Sequence, residues 1–337
     1  MRVPGVALML LGLAALPLSM LLAASIGELP VPLVTTAQAV LNGLGLGHYA
    51  VTPIQQGIVW DYRASRAVVA ACCGAGLALC GTLLQALLRN ALAEPYVLGI
   101  SAGASTGAVL VMLLGIGGGA LGLPLGAFLG ATLAFVLVLA LAARQGSGPT
   151  RMILSGVAGA QLFNALTAYI VSTSANAEQA RSVMFWLLGS LSGVRWGDAG
   201  LALAVVGVGL AVSLLAARAL DAFTFGETAA ASLGVPVPAV RLVLLACTAL
   251  ITAALVSIVG AVGFVGLVIP HAARLLVGPG HTRLVPAAAL IGAHFVVLAD
   301  IVSRVLIPQQ VLPIGVVTAL VGAPAFAWLL QREGRSR

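Results

Sequence analysis

Between Arg66 and Arg89 the chain reads AVVAACCGAGLALCGTLLQALL, without one charged side chain. Similar runs lie between Pro95 and Arg144, between Arg241 and Arg274, and between Arg304 and Arg332. Runs of this length cannot make a water-facing surface, and about 20 apolar residues in a helix match the thickness of a bilayer core. Only 7% of the 337 residues are charged and 61% are hydrophobic, against about 25% charged in a soluble domain. The solvent for most of this chain is therefore lipid. In lipid the backbone must pair with itself, which leaves helices and closed barrels. A barrel would show short alternating segments with polar inward residues. These runs are continuous, so the sequence predicts an all-α integral membrane protein, and roughly 30 residues per span and loop give about ten transmembrane helices in a single domain covering residues 1–337.

Spans are expected near 5–26, 64–88, 95–115, 121–143, 150–172, 197–218, 240–259, 263–277, 284–306 and 314–331. Pro95, Pro124, Pro149, Pro236, Pro286 and Pro313 fall near helix starts, where a missing N–H costs nothing. The apolar stretch 178–191 is too short to cross and reads as a re-entrant half-helix, tolerated where it packs on protein or lines a water-filled cavity. The first run is too long, and lacks a cleavage site, for a signal peptide. All sixteen basic residues are arginine. With both termini on one side, that side collects Arg2, Arg89, Arg144, Arg151, Arg218, Arg241, Arg274, Arg283, Arg332, Arg335 and Arg337. The arginine excess makes that side cytoplasmic and leaves Arg63, Arg66, Arg181, Arg195 and Arg304 outside, against the bias. The net charge of +7 is scattered singly, so it does not indicate nucleic acid. Cys72, Cys73, Cys80 and Cys247 lie in apolar runs without metal-ligand spacing and read as small buried residues.

In LLQALLRNALAEPYVLGISAGAS, Gly99, Gly103 and Gly107 share one helix face, where small residues let two backbones approach. The polar hairpin Arg89 to Pro95 then reads as a tight turn between two closely packed helices. GISAG, Gly99 to Gly103, also matches the G-x-S-x-G of serine hydrolases, with His271 or His294 as base. That motif requires a strand-to-helix elbow, and here it opens an apolar helix. The acids Glu28, Asp61, Glu94, Glu178, Asp198, Asp221, Glu227, Asp300 and Glu333 sit at predicted helix ends or loops, which counts against an ion-coupled secondary transporter with mid-membrane carboxylates. A Walker A site on this chain is excluded, because that motif needs a lysine.

The stretches GTLLQALLRNALAEPYVLGISAGASTGAVL, FWLLGSLSGVRW, GAVGFVGLVIPHAARLLVGPGHTRLVPAAALIGA, LADIVSR and LPIGVVTALVGAPAFAWLL, in this order, resemble the FecCD-type permeases, the membrane subunits of bacterial ABC importers for haem, ferric siderophores and cobalamin. The resemblance covers nearly the whole chain past residue 60. It implies a homodimeric permease of the bacterial inner membrane, a non-enzymatic subunit working by alternating access. It implies two separate ATPase subunits that hold ATP and Mg, a periplasmic substrate-binding protein, and no cofactor or metal on this chain.

The resemblance also implies roles. Arg63 and Arg66 in YRASR, and Arg304 in ADIVSR, match arginines that dock acidic groups of the binding protein, although Asp300 is a ready i,i+4 partner for Arg304. Residues 222–238 carry the cytoplasmic coupling helix, with Phe225, Gly226, Glu227, Ser232, Leu233 and Gly234 as ATPase contacts. Glu227 suits a helix N-terminus and Gly234 a C-terminal stop. Arg181, Phe185, Trp186, Arg195 and His294 are the candidate translocation path, and Arg181 leans the substrate toward haem through a propionate. Ser147, Thr150 and Arg151 in RQGSGPTR are the candidate cytoplasmic gate.

Overall fold

The structure, a computed structural model, describes residues 5–27, 29–115, 122–144 and 149–334. Among the described residues it is helical with no strand. Helix α1 spans Gly5–Ser25. A connection then folds into α2 (Leu33–Gly43), the single turn α3 (Pro53–Gln56) and a π-helical segment Gly57–Ala64, which runs directly into α4 (Ser65–Leu87). After a hairpin and a 3₁₀ turn at Pro95–Leu98 come α5 (Ile100–Leu114), α6 (Gly122–Arg144), α7 (Pro149–Ser174) and the short α8 (Ala177–Leu187). The remainder is α9 (Trp196–Leu215), α10 (Ala217–Phe223), α11 (Glu227–Ser232), α12 (Val237–Val259), α13 (Val265–Val277), α14 (His281–Val305) and α15 (Ile314–Gly334).

Among the described residues, seven helices are long and apolar enough to cross a membrane, and α5, α13 and α15 are shorter apolar helices. Together they account for the ten expected spans. The elements between Leu33 and Ala64 have no counterpart among the expected spans. They are too short and mixed in polarity to stand out from a loop.

Helix α4 is the centre, buried along almost its whole length and packed on α14, α13, α12 and α9. In lipid there is no hydrophobic drive between helices, so association depends on close van der Waals contact and interhelical hydrogen bonds. The sequence supplies that contact with glycine. A Cβ on Gly74 would overlap the carbonyl of Gly292 on α14, and one on Gly81 would overlap that of Gly266 on α13. The face of Gly103 and Gly107 is used in the same way, but against Gly130 and Gly126 of α6. This corrects the sequence expectation. The helices joined by the Arg89 to Pro95 hairpin are not each other's close partners: α5 packs chiefly on α6 and α7, and α4 on α14, α9, α13 and α12. Arg89 (φ 48°) and Gly99 (φ 73°) turn the backbone through left-handed conformations and redirect it. Ser101 and Ser105 are buried on α5, and the Ser105 hydroxyl donates to the Ser101 carbonyl, local back-bonding that satisfies a buried hydroxyl within its own helix.

Candidate functional site

Two helices stop inside the bundle. Helix α13 begins at Val265, with Gly266 against Leu77 and Gly81 partway along α4. Helix α8 ends at Leu187. The segments that follow α8 and precede α13 are not helical. Such backbone survives at membrane depth only if the protein satisfies it, and here it does. Ser190 N donates to Val259 O at 2.7 Å, Ile314 N to Gly189 O at 3.0 Å and Gly315 N to Leu188 O at 3.1 Å. Val262 N donates to the Tyr96 hydroxyl at 2.6 Å. Gly189 (φ 77°) and Gly260 (φ 77°) supply left-handed turns, and Phe264 adopts one as well (φ 68°). The ends of α8, α12 and α15 thus meet around residues 188–190 and 259–264. Sequence reasoning missed Tyr96 and Val262; a lone tyrosine after Glu94–Pro95 was the only signal.

Beside this junction lies a cavity of about 270 Å³ lined by Met112, Ser182, Phe185, Trp186, Ser190 and residues 311–313. Two of the expected path residues, Phe185 and Trp186, line it. Arg181 is exposed on α8, whose start is fixed by an Asn176–Gln179 capping box. The other two expected path residues are placed elsewhere. His294 sits in the seam between α14 and α1, with Nδ1 3.3 Å from Ser19 Oγ and Nε2 3.0 Å from Gly12 O. Both ring nitrogens are engaged, so it is an interhelical tie. The Arg195 guanidinium lies 5.5 Å from the Tyr62 ring centroid, beside a Trp60–Trp196 pair whose centroids are 4.4 Å apart.

At the end of the bundle that carries α2, Arg63, Arg66 and Arg304 come together. Asp300, 1% exposed, pairs with Arg66 at 2.8 Å and with Arg304 at 3.0 Å. Arg304 also donates to the carbonyls of Ala23 and Ile26, and Arg63 to those of Ala24, Ser25 and Leu29. The cluster therefore ties α1, α4 and α14. The outward edges of Arg66, toward Ser192, and of Arg63, toward Leu29, are its solvent-facing parts.

The opposite end carries α11. Gly226 (φ 102°) precedes the helix and Gly234 (φ 83°) ends it. Gly234 N donates to Ala231 O and Val235 N to Ala230 O, the paired pattern of a glycine-terminated helix. The expected start and stop both hold. Glu227 pairs with Arg241 of α12, which anchors the short helix. Phe225 and Leu233 are 78% and 72% exposed, an apolar pair presented outward. Ser232 bonds back to Thr228 within the helix. Thr150 and Arg151 are exposed at the start of α7; Ser147 lies outside the described residues.

Long apolar helices packed on α4, with the backbone breaks after α8 and before α13 bonded inside the protein, define a multi-pass membrane-protein fold with broken helices. The model for the FecCD transport family matches residues 15–332. A cobalamin import permease, BtuC, of Halobacterium salinarum is 43% identical over 92% of this chain and 82% of its own. The uncharacterised ABC transporter permease YvrB of Bacillus subtilis is 37% identical over 97% and 94%. The vitamin B12 permease BtuC of Shigella sonnei is 40% identical over 84% and 86%. Among solved structures, an inward-facing putative metal-chelate type ABC transporter superposes with a TM-score of 0.79 at 30% identity, covering 89% of this chain and 97% of that one.

The chain belongs to the FecCD transport family. It is an ABC importer permease, a subunit type that is not itself catalytic, and the serine-hydrolase reading of GISAG falls with that assignment.

Proposed function

We propose that this chain is the permease of a corrinoid importer, moving cobalamin or a close analogue. The observation that carries this reading is the similarity to the two cobalamin-type permeases, each at or above 40% identity over most of this chain. The local chemistry agrees with it. The cavity beside α8 is lined by Met112, Phe185, Trp186 and two serines, with no charged side chain among the described residues. Such a lining suits a bulky corrin rimmed by neutral amides. Haem, with two propionates, would ask for cations there, and the case for haem in the sequence rests on Arg181 alone. A ferric siderophore with carboxylate arms would ask for the same.

In this reading two copies of the chain enclose the path, and a binding protein docks at the α2 end through the outward edges of Arg63 and Arg66. Arg304 acts behind them, by holding Asp300. Two ATPase subunits, carrying ATP and Mg, receive α11 with Phe225 and Leu233 as the apolar contact, in the manner of a helix in a groove. In the same reading the cytoplasmic gate comprises Ser147, Thr150 and Arg151. Both termini lie on the ATPase side, in the inner membrane, following the arginine bias.

The test uses proteoliposomes holding the chain with its ATPase and binding protein. Labelled cyanocobalamin and haem are offered separately, with and without ATP. ATP-dependent cobalamin uptake that excess unlabelled cobalamin abolishes, and haem does not, supports the assignment. Haem uptake without cobalamin uptake overturns it.

A further inference from the structure

At the α11 end a second cavity, of about 220 Å³, opens between the α4–α5 hairpin, the last turn of α13 and the first turn of α14. Its lining includes the guanidinium groups of Arg89 and Arg274 and the imidazole of His281, with Gln85, Asn90 and Thr224 as polar neighbours. The two guanidinium groups give the cavity a positive potential, which a low-dielectric wall strengthens; the carboxylate beside the lining is that of Asp221, held against His281.

His281 marks where a ligand would sit. Its side chain is 3% exposed. Nδ1 lies 2.6 Å from Asp221 Oδ1, and the same carboxylate oxygen accepts the His281 backbone N–H at 2.9 Å. That contact fixes Nδ1–H as the donor to Asp221 and turns Nε2 to the other edge of the ring, where it is buried without a partner among the described residues. A buried polar atom without a partner is costly. In the neutral ring Nε2 can accept a hydrogen bond from a protonated oxyanion, and in the charged ring it can donate one. It also sits at the start of a 25-residue helix, whose dipole favours an anion at this end. The Arg274 Nη1 group is steadied by Gln85 Oε1 at 2.6 Å, and Arg89 reaches toward Gly226, just ahead of α11.

We propose that Arg89, Arg274 and His281 form a binding site for a phosphate-class oxyanion, supplied either as free phosphate or as the headgroup of an anionic lipid. An occupant would join four parts of the chain: the hairpin, the end of α13, the start of α14, and through Arg89 and Asp221 the segment leading into α11.

The experiment titrates inorganic phosphate into the detergent-purified full chain at constant ionic strength, by calorimetry. Native mass spectrometry then compares retention of phosphatidylglycerol with phosphatidylcholine. Two variants accompany the wild type: Arg89→Gln, at an exposed position, and His281→Asn, whose amide can still face Asp221 but has nothing at the Nε2 position. Saturable phosphate binding that weakens about 10-fold in each variant supports the site. Selective phosphatidylglycerol retention that phosphate displaces then identifies the headgroup as the source. Phosphate binding without lipid selectivity identifies the free anion. Absence of saturable binding by either probe, or binding unchanged in both variants, overturns the proposal.

Discussion

Asp300 Oδ1 lies 2.8 Å from both Nε and Nη2 of Arg66, two nitrogens of one guanidinium on one carboxylate oxygen. With Arg304 on the other oxygen, this single acid is shared by two cations that are 12% and 8% exposed. Breaking a buried pair by removing one partner leaves an uncompensated charge and costs about 3–5 kcal/mol. Asp300→Asn is therefore expected to lower the denaturation midpoint in detergent by that order. Arg63→Gln, which gives up hydrogen bonds to carbonyls and leaves the Asp300 pairs in place, is expected to cost less.

The Tyr96 hydroxyl accepts the Val262 N–H at 2.6 Å, in the unwound stretch before α13. Tyr96→Phe leaves that buried donor unsatisfied, at about 1–3 kcal/mol. Faster amide exchange at Val262, with exchange in α1 unchanged, is the expected signature.

Glycine at the α4–α14 crossing is a packing requirement. Gly292→Val places side-chain atoms against Gly74 O and the Ala78 Cβ, and overpacking of this kind costs about 1–3 kcal/mol or more. Gly200 on α9 is different, because a Cβ added there would meet nothing within 4 Å. Gly200→Ala is expected to be neutral or to stabilise by about 0.5–1 kcal/mol. Thermal midpoints of the two variants in one detergent decide the point.

Glu94 lies in the connection between α4 and the 3₁₀ turn. Burial raises its carboxyl above the ordinary value of 4.5, partly offset by a hydrogen bond from the Phe264 backbone. A raised acid means that the folded chain holds its proton at pH values where the unfolded chain has released it. Stability from this group is thus full below the ordinary value and falls as pH rises through the shifted one. Glu94→Gln is expected to flatten that part of the stability profile, measured by denaturation midpoints from about pH 4 upward.

Phe225 and Leu233 are exposed and support nothing within the chain that their loss would collapse. Leu233→Asp and Phe225→Ala are expected to change stability by no more than about 0.5 kcal/mol while abolishing co-purification of the ATPase. A variant that still binds the ATPase normally would remove α11 from the coupling role.

The sequence by itself determined the solvent, the helical class, the ten spans and the short α8, because long uncharged runs admit one kind of structure in lipid. It also determined the bounds of α11, since Gly226, Glu227 and Gly234 act through local backbone geometry. Tertiary structure decided which helices touch. Gly103 and Gly107 announce a close approach but not its partner, which is α6, because a small residue records only the space it leaves. It likewise decided the roles of His294, Arg195 and Tyr96. Each carries a polar group whose role depends on what is brought opposite: Ser19 and Gly12, Tyr62, and Val262. Those pairings span up to 282 residues of sequence, and no local pattern of charge or hydropathy encodes contacts at that separation.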